Sequence, residues 1–326
     1  MEEILRLFPE RIRRAIQSKT KDRWKVMQEI RFRLNQPVEL IFDDHTEWIE
    51  SIKPDRNESI FVLNQLSEFS LYRMEDELRE GYVTIEGGHR VGLSGKVNTL
   101  NGAVKAIQYI AFFNIRIAKQ KIGAALSLIP YLYTDSNYQN TLFIGAPQTG
   151  KTTLIRDVAR LIGTGWSTVS AQKVGIIDER SEIGGSKKGI PQHDLGLRTD
   201  VMDACPKAEG MMMMIRSMSP EVLIVDEIGS ANDVQALMEA INTGVTVICT
   251  IHGKSIEELK KRPSLKPLFE YDVFQRIVLL DRQRQPGYIH RIYNQKEENI
   301  LQKTRCLKNE VDWSASFHRH NNINRV

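Results

Sequence analysis

Eight residues, Gly145-Ala146-Pro147-Gln148-Thr149-Gly150-Lys151-Thr152, follow the pattern Gly-x-x-x-x-Gly-Lys-[Ser/Thr]. They lie between the apolar run Thr141-Leu142-Phe143-Ile144 and Thr153-Leu154-Ile155, which opens a helical pattern. Two glycines let the backbone curl so that successive N–H groups point inward, and the start of a helix adds partial positive charge. The chemistry this suits is binding of a polyphosphate. Lys151 is expected to reach the β- and γ-phosphates, Thr152 to offer its hydroxyl to Mg²⁺, and Thr153 to lie beside the α-phosphate.

Downstream, Val222-Leu223-Ile224-Val225-Asp226-Glu227 is an apolar strand ending in two carboxylates. Asp226 is expected to hold the water shell of Mg²⁺, and Glu227 to take the proton from an attacking water, which makes the chain a hydrolase. A second acidic strand end, Ile176-Ile177-Asp178-Glu179-Arg180-Ser181-Glu182, is expected at the same sheet edge. There Asp178 and Glu179 either position water or metal, or form surface ion pairs, notably with Arg180. Thr250-Ile251-His252-Gly253 places His252 near the γ-phosphate position as a sensor. Arg116, Arg180, Arg198 and Arg216 are candidates for neutralising transition-state charge, and the sequence alone does not rank them.

The elements that must position these residues follow from periodicity. Apolar strands at 142–144, 174–177, 222–225 and 245–249 alternate with helical segments at 151–162, 208–217, 231–242 and 255–262. Continuous apolar strands alternating with helices predict a parallel sheet covered on both faces, closed by strands at 274–280 and 288–292. Met211 through Met214 cover every direction around their helix and predict one buried all round. The preceding residues read as a small α+β domain. It has an amphipathic helix over 2–18, a hairpin from Met27 to Phe42, a helix over 59–79, a hairpin turning at Gly87-Gly88 and a strand at 112–118. The expected organisation is an N-terminal α+β domain (1–122), a P-loop domain (123–295) and a partly disordered extension (296–326) in which His318 and His320 read as tail residues.

A chain of 326 residues with 41% hydrophobic content supports two ordinary cores. A formal charge of +4 falls short of a nucleic-acid footprint by itself. Cys205, Cys249 and Cys306 are too widely spaced for a zinc site or a disulfide framework, which fits a reducing cytosol. The N-terminus lacks the basic and apolar regions of a signal peptide, and no run of 18 apolar residues occurs, so membrane association is expected to go through a partner.

The order of motifs resembles the type II/type IV secretion ATPases: phosphate loop, Asp178-Glu179 box, Arg216-Ser217-Met218-Ser219-Pro220-Glu221 leading to Asp226-Glu227, then Thr250-Ile251-His252. The stage III sporulation AA family of endospore-forming bacteria is more similar still. It is matched by Glu86-Gly87-Gly88-His89-Arg90-Val91-Gly92, by Phe113-Asn114-Ile115-Arg116, by Asp178-Glu179-Arg180-Ser181-Glu182-Ile183 and by Cys205-Pro206-Lys207 through Ser219-Pro220. The resemblance implies a RecA-like/AAA-type P-loop fold, ATP and Mg²⁺ as ligands, and a homo-oligomeric ring, hexameric, beneath integral-membrane channel proteins. In sporulation that channel joins mother cell to forespore, which places the protein in the mother-cell cytoplasm. It also implies closure of the N-terminal domain over nucleotide within the ring, which singles out Arg116. One departure is Ser230, where a basic residue is expected. Two other readings share the phosphate loop. A RecA- or helicase-like motor needs a basic groove with stacking aromatics, yet Trp24, Trp48 and Trp166 are scattered; a nucleotide-gated structural subunit needs no Glu227.

Overall fold

The computed structural model describes residues 1–68, 78, 81–100, 103–281 and 286–301. The chain forms two compact units, one of Met1–Gln120 with Gly184–Asp194, the other of Lys121–Ile183 with the residues from Leu195 onward. The sequence pattern suggests a single cut near residue 122, whereas the backbone leaves the second unit at 183 and returns at 195.

In the first unit the expected helix over 2–18 is two, α1 (Glu2–Leu5) and α2 (Glu10–Thr20), because Pro9 stands in extended conformation at the N-cap of α2. Ile12 and Ile16 of α2 are buried. Six strands follow: β1 (Met27–Arg33), β2 (Val38–Phe42), β3 (Thr46–Ile49), β4 (Tyr82–Thr84), β5 (Arg90–Leu100) and β6 (Ala103–Arg116). They make an antiparallel sheet in the order β3-β2-β1-β6-β5-β4. Alternation along β1 buries Met27, Ile30 and Phe32, and the Phe32 ring lies 5.8 Å from that of Phe8 and 5.4 Å from that of Phe113. Helix α3 (Arg56–Leu66) starts earlier than periodicity suggests, at a capping box formed by Asp55 and Glu58. Residues 69–77 of that expected helix lie outside the described residues.

The returning segment 184–194 is held inside this unit by its backbone and by glycine. Gly87, at φ +82°, donates its N–H to Gln192 Oε1 at 3.0 Å. A Cβ on Gly185 would stand 3.1 Å from Gly88 Cα, and one on Gly88 would stand 3.2 Å from the His193 ring, so both positions require glycine. Gln120 and Asp194 exchange two hydrogen bonds, 2.6 and 2.9 Å long. His89, buried beside this turn, accepts the Ala118 N–H at Nδ1 (2.9 Å), and its Nε2 lies 3.0 Å from Glu3 Oε1.

The second unit holds a sheet ordered β11-β10-β12-β13-β9-β14-β15, parallel except for the last strand. Its strands are β9 (Thr141–Gly145), β10 (Val174–Asp178), β11 (Thr199–Asp203), β12 (Val222–Val225), β13 (Thr246–His252), β14 (Arg276–Asp281) and β15 (Tyr288–Asn294); a short hairpin, β7 (Tyr133–Thr134) with β8 (Asn137–Tyr138), precedes them. Strands β9, β10 and β12 are buried at every residue, as their apolar runs predict for a sheet covered twice. Phe143, Ile176 and Ile224 pack on one side with Leu154 and Val158 of α4 (Lys151–Thr164). Leu142, Ile177 and Leu223 pack on the other with Met211 and Met214 of α5 (Lys207–Met218) and Leu237 of α6 (Ala231–Asn242). The expectation of four buried methionines is corrected here: Met211 and Met214 face the sheet, while Met213 is 54% exposed. Two short helices, α7 (Ile256–Lys260) and α8 (Lys266–Glu270), lead to β14. Residues 302–326, with Cys306, His318 and His320, lie outside the described residues. Among the described residues no helix is long and apolar enough to cross a membrane.

Candidate nucleotide site

Strand β9 delivers its buried C-terminal end, Gly145, into a loop whose Ala146, Pro147 and Gln148 become progressively exposed. Gln148 (φ +61°) and Gly150 (φ +89°) both take left-handed conformations, which curl the loop before α4 begins at Lys151. Glycine is obligatory at 150, since a Cβ would lie 2.5 Å from the backbone nitrogen of Gly287. That nitrogen in turn donates to Thr149 O at 2.7 Å, so the turn into β15 braces the loop. The hydroxyl of buried Thr149 donates to Ala146 O at 2.8 Å. Lys151 is almost wholly buried and its Nζ donates to the carbonyls of Gly145 (2.9 Å) and Ala146 (3.0 Å). Burial pushes its pKa down, against the attraction of Asp226, Glu227 and Glu182. Thr153, half-buried, is the third residue of the helix.

The acids come from the neighbouring strand ends at the same edge. Asp226, just past β12, accepts from Thr152 Oγ1 at Oδ2 (3.0 Å) and from the buried Thr250 hydroxyl at Oδ1. Burial raises its pKa and Glu182 pushes it further up, while the two hydroxyls and Lys151 oppose the rise. Glu227 follows at φ +54° and donates its backbone N–H to Thr250 Oγ1 at 2.8 Å. Its carboxylate accepts from Arg180 Nη1 at 2.7 Å. Asp178 lines the same cleft as Asp226 and Glu227. It is buried, and its two oxygens accept the backbone N–H groups of Glu182 (2.7 Å) and Ile183 (3.0 Å), so it closes its own turn. Arg156 of α4 clamps the same turn, donating to Glu182 O (2.5 Å) and Ile183 O (2.7 Å). Glu179 pairs with Lys207, the ion-pair alternative for that residue, and both line the cleft containing Asp226 and Glu227. His252 is exposed at the end of β13, in register with Gly145. Arg116 belongs to the first unit, exposed on β6 with its Nε 3.8 Å from Glu29 Oε1.

A phosphate loop, a hydroxyl–carboxylate pair and a second acid at one edge of a parallel sheet narrow the kinship to P-loop proteins. The family model for sporulation stage III, protein AA matches residues 1–300. The chain belongs to that family. It is 52% identical over 308 residues to the stage III sporulation protein AA of Bacillus subtilis (strain 168), covering 94% of this chain and 99% of that protein. Among solved structures it resembles the Legionella pneumophila ATPase DotB, with a TM-score of 0.56 at 14% identity, over 83% of this chain and 76% of that one. It also resembles the pilus retraction motor PilT with bound ADP, with a TM-score of 0.55 at 14% identity, over 81% of this chain and 77% of that one. The likeness to DotB and PilT is one of fold: a P-loop α/β sheet with a separate N-terminal sheet.

Three residues at the site receive no role from the motifs alone. Thr250 sits inside an apolar run, Arg156 looks like the polar face of an amphipathic helix, and Glu182 is visible only as the last acid of its cluster. Ser230, where the secretion-ATPase pattern led us to expect a base, is the N-cap of α6. Its hydroxyl accepts the Asp233 N–H, and Asp233 accepts the Ser230 N–H in return.

Proposed function

We propose that the chain hydrolyses ATP with Mg²⁺ as one subunit of a homo-oligomeric, hexameric ring, without nucleic acid as partner. The ring would power or assemble a channel of integral-membrane proteins between mother cell and forespore, acting from the mother-cell cytoplasm. One observation carries the enzymatic part: Lys151 and Thr152 from the start of α4 and Asp226 and Glu227 from the end of β12 converge onto one sheet edge. The kinship supports the rest, since the Bacillus subtilis relative is named for sporulation stage III and DotB and PilT are described as an ATPase and a motor.

The Thr152 hydroxyl and the Asp226 carboxylate are hard oxygen donors 3.0 Å apart, and burial disfavours the charge on Asp226. That donor set fits Mg²⁺, which when bound would neutralise charge developing on the transferred phosphoryl group. The chain's own part begins with Lys151, whose ammonium exchanges two loop carbonyls for the β- and γ-phosphate oxygens. Thr152 releases Asp226, and the loop N–H groups orient the triphosphate for in-line attack. Glu227 accepts the proton of the attacking water. Arg116 is our candidate for the arginine that neutralises charge within a ring, with His252 reporting the γ-phosphate position at the sheet edge. Lys151→Ala should abolish nucleotide binding or turnover, measured by calorimetry with ATP and by phosphate release; near-normal values of both would sink the site assignment.

A further inference from the structure

Glu227 is an unusual residue to trust with a proton transfer. It is a non-glycine residue in the left-handed region, at φ +54°, on the loop just beyond the end of β12. A backbone held there without glycine needs its neighbours to fix it. The sheet order supplies them, since β12 lies between β10 and β13. From the β13 side, the hydroxyl of fully buried Thr250 accepts the Glu227 N–H at 2.8 Å and donates to the Asp226 carboxylate. One hydroxyl therefore fixes the backbone of one acid and the side chain of the other. From the β10 side, Arg180 Nη1 donates to Glu227 Oε2 at 2.7 Å, leaving the second oxygen for another partner.

We propose that Thr250 and Arg180 are positioning residues that grip Glu227 from the two flanking strands, one by its amide and one by its carboxylate, and so aim its second carboxylate oxygen at the attacking water. This rests on Glu227 being the general base. The two residues differ in setting: Thr250 is sealed in the sheet, while Arg180 is 64% exposed at the cleft. The Thr250 contact therefore sets where the residue stands, and the Arg180 contact sets which way its side chain faces.

The test compares Thr250→Val, Thr250→Ser, Arg180→Ala and Arg180→Lys in the full chain, each alone and combined with Glu227→Gln. Thr250→Val and Arg180→Ala should each lower kcat roughly tenfold or more, with KM and the Kd for ADP changed by less than about twofold. Thr250→Ser and Arg180→Lys should recover most of the loss. In the Glu227→Gln background neither residue should matter further, because non-additivity is the signature of residues acting through a third. Amide hydrogen exchange over the peptide around Glu227 gives a readout independent of turnover and should quicken in Thr250→Val and not in Thr250→Ser. Losses that persist undiminished beside Glu227→Gln, Kd changes as large as the kcat changes, or unaltered exchange in Thr250→Val would overturn the proposal. So would a rise in kcat for Arg180→Ala, which would make the arginine a restraint. If Glu227→Gln alone turns over like the parent, the base assignment fails, whereas the exchange result still judges the Thr250 grip.

Discussion

At the residue scale the site shows how a buried carboxylate trades stability for chemistry. The pKa of Asp226 is raised by burial from the ordinary value of 3.8, so the folded state keeps a proton that the unfolded state has released. Stability contributed at this position therefore falls as pH rises through that interval, the reverse of a salt-bridged aspartate. Asp226→Asn should raise the melting temperature at neutral pH by several degrees, at about 2–4 °C per kcal/mol, while removing Mg²⁺-dependent turnover. Thermal unfolding with and without Mg²⁺ checks this: the cation should stabilise the parent and not the variant. An Asn variant that melts lower at neutral pH would show that Asp226 is held by attraction rather than endured for its function. Lys151, Thr152, Asp226 and Glu227 were legible in the sequence because their spacing to glycines and strand ends is fixed by phosphate geometry. Thr250 and Arg156 were not, since a hydroxyl in a strand or an arginine on a helix declares no partner until the strands are ordered. For a related reason the sequence does not reveal that the oxygens of Asp178, which lines the cleft, also close their own turn.

At the element scale, the apolar strands were legible as such because burial on both faces leaves continuous runs, and β9, β10 and β12 carry them. Strand β11 was missed because Thr199-Asp200-Val201-Met202-Asp203 is an edge strand with no fully buried residue. Pro9 was a visible break that the longer helical period obscured. Within the first unit, His89 joins α1 to the end of β6 through Glu3 and Ala118. Burial, which outweighs the attraction of Glu3, lowers its pKa below 6.5, so the folded state sheds the proton first. Its stabilising contribution is therefore complete above pH 6.5 and lost as pH falls through the folded value. Protonation would also remove the Nδ1 acceptor from the Ala118 N–H. Urea midpoints followed by Trp24 fluorescence should drop between pH 7 and pH 5 in the parent, and that slope should be shallower in His89→Gln. Equal slopes would show that His89 does not titrate on unfolding.

At the scale of the whole molecule, the proposed ring would make activity a matter of concentration. Turnover per subunit should rise with protein concentration as rings form, and Arg116→Ala should lower the plateau several-fold without weakening ADP binding. Phosphate release across a dilution series checks it; a flat profile would favour an ATPase that works as a monomer. The two-unit organisation was legible as a change from antiparallel hairpins to strand–helix alternation. The return of residues 184–194 was not, because its glycines and lysines look like an ordinary surface loop until Gly185 is found against Gly88. That return has a consequence for biosynthesis. A ribosome emits Met1–Gln120 long before Asp194, and at ~5–20 residues per second the gap lasts on the order of several seconds. Through that interval the Gly87 amide has no Gln192 to receive it, and the phosphate loop is translated before the residues that complete the first unit.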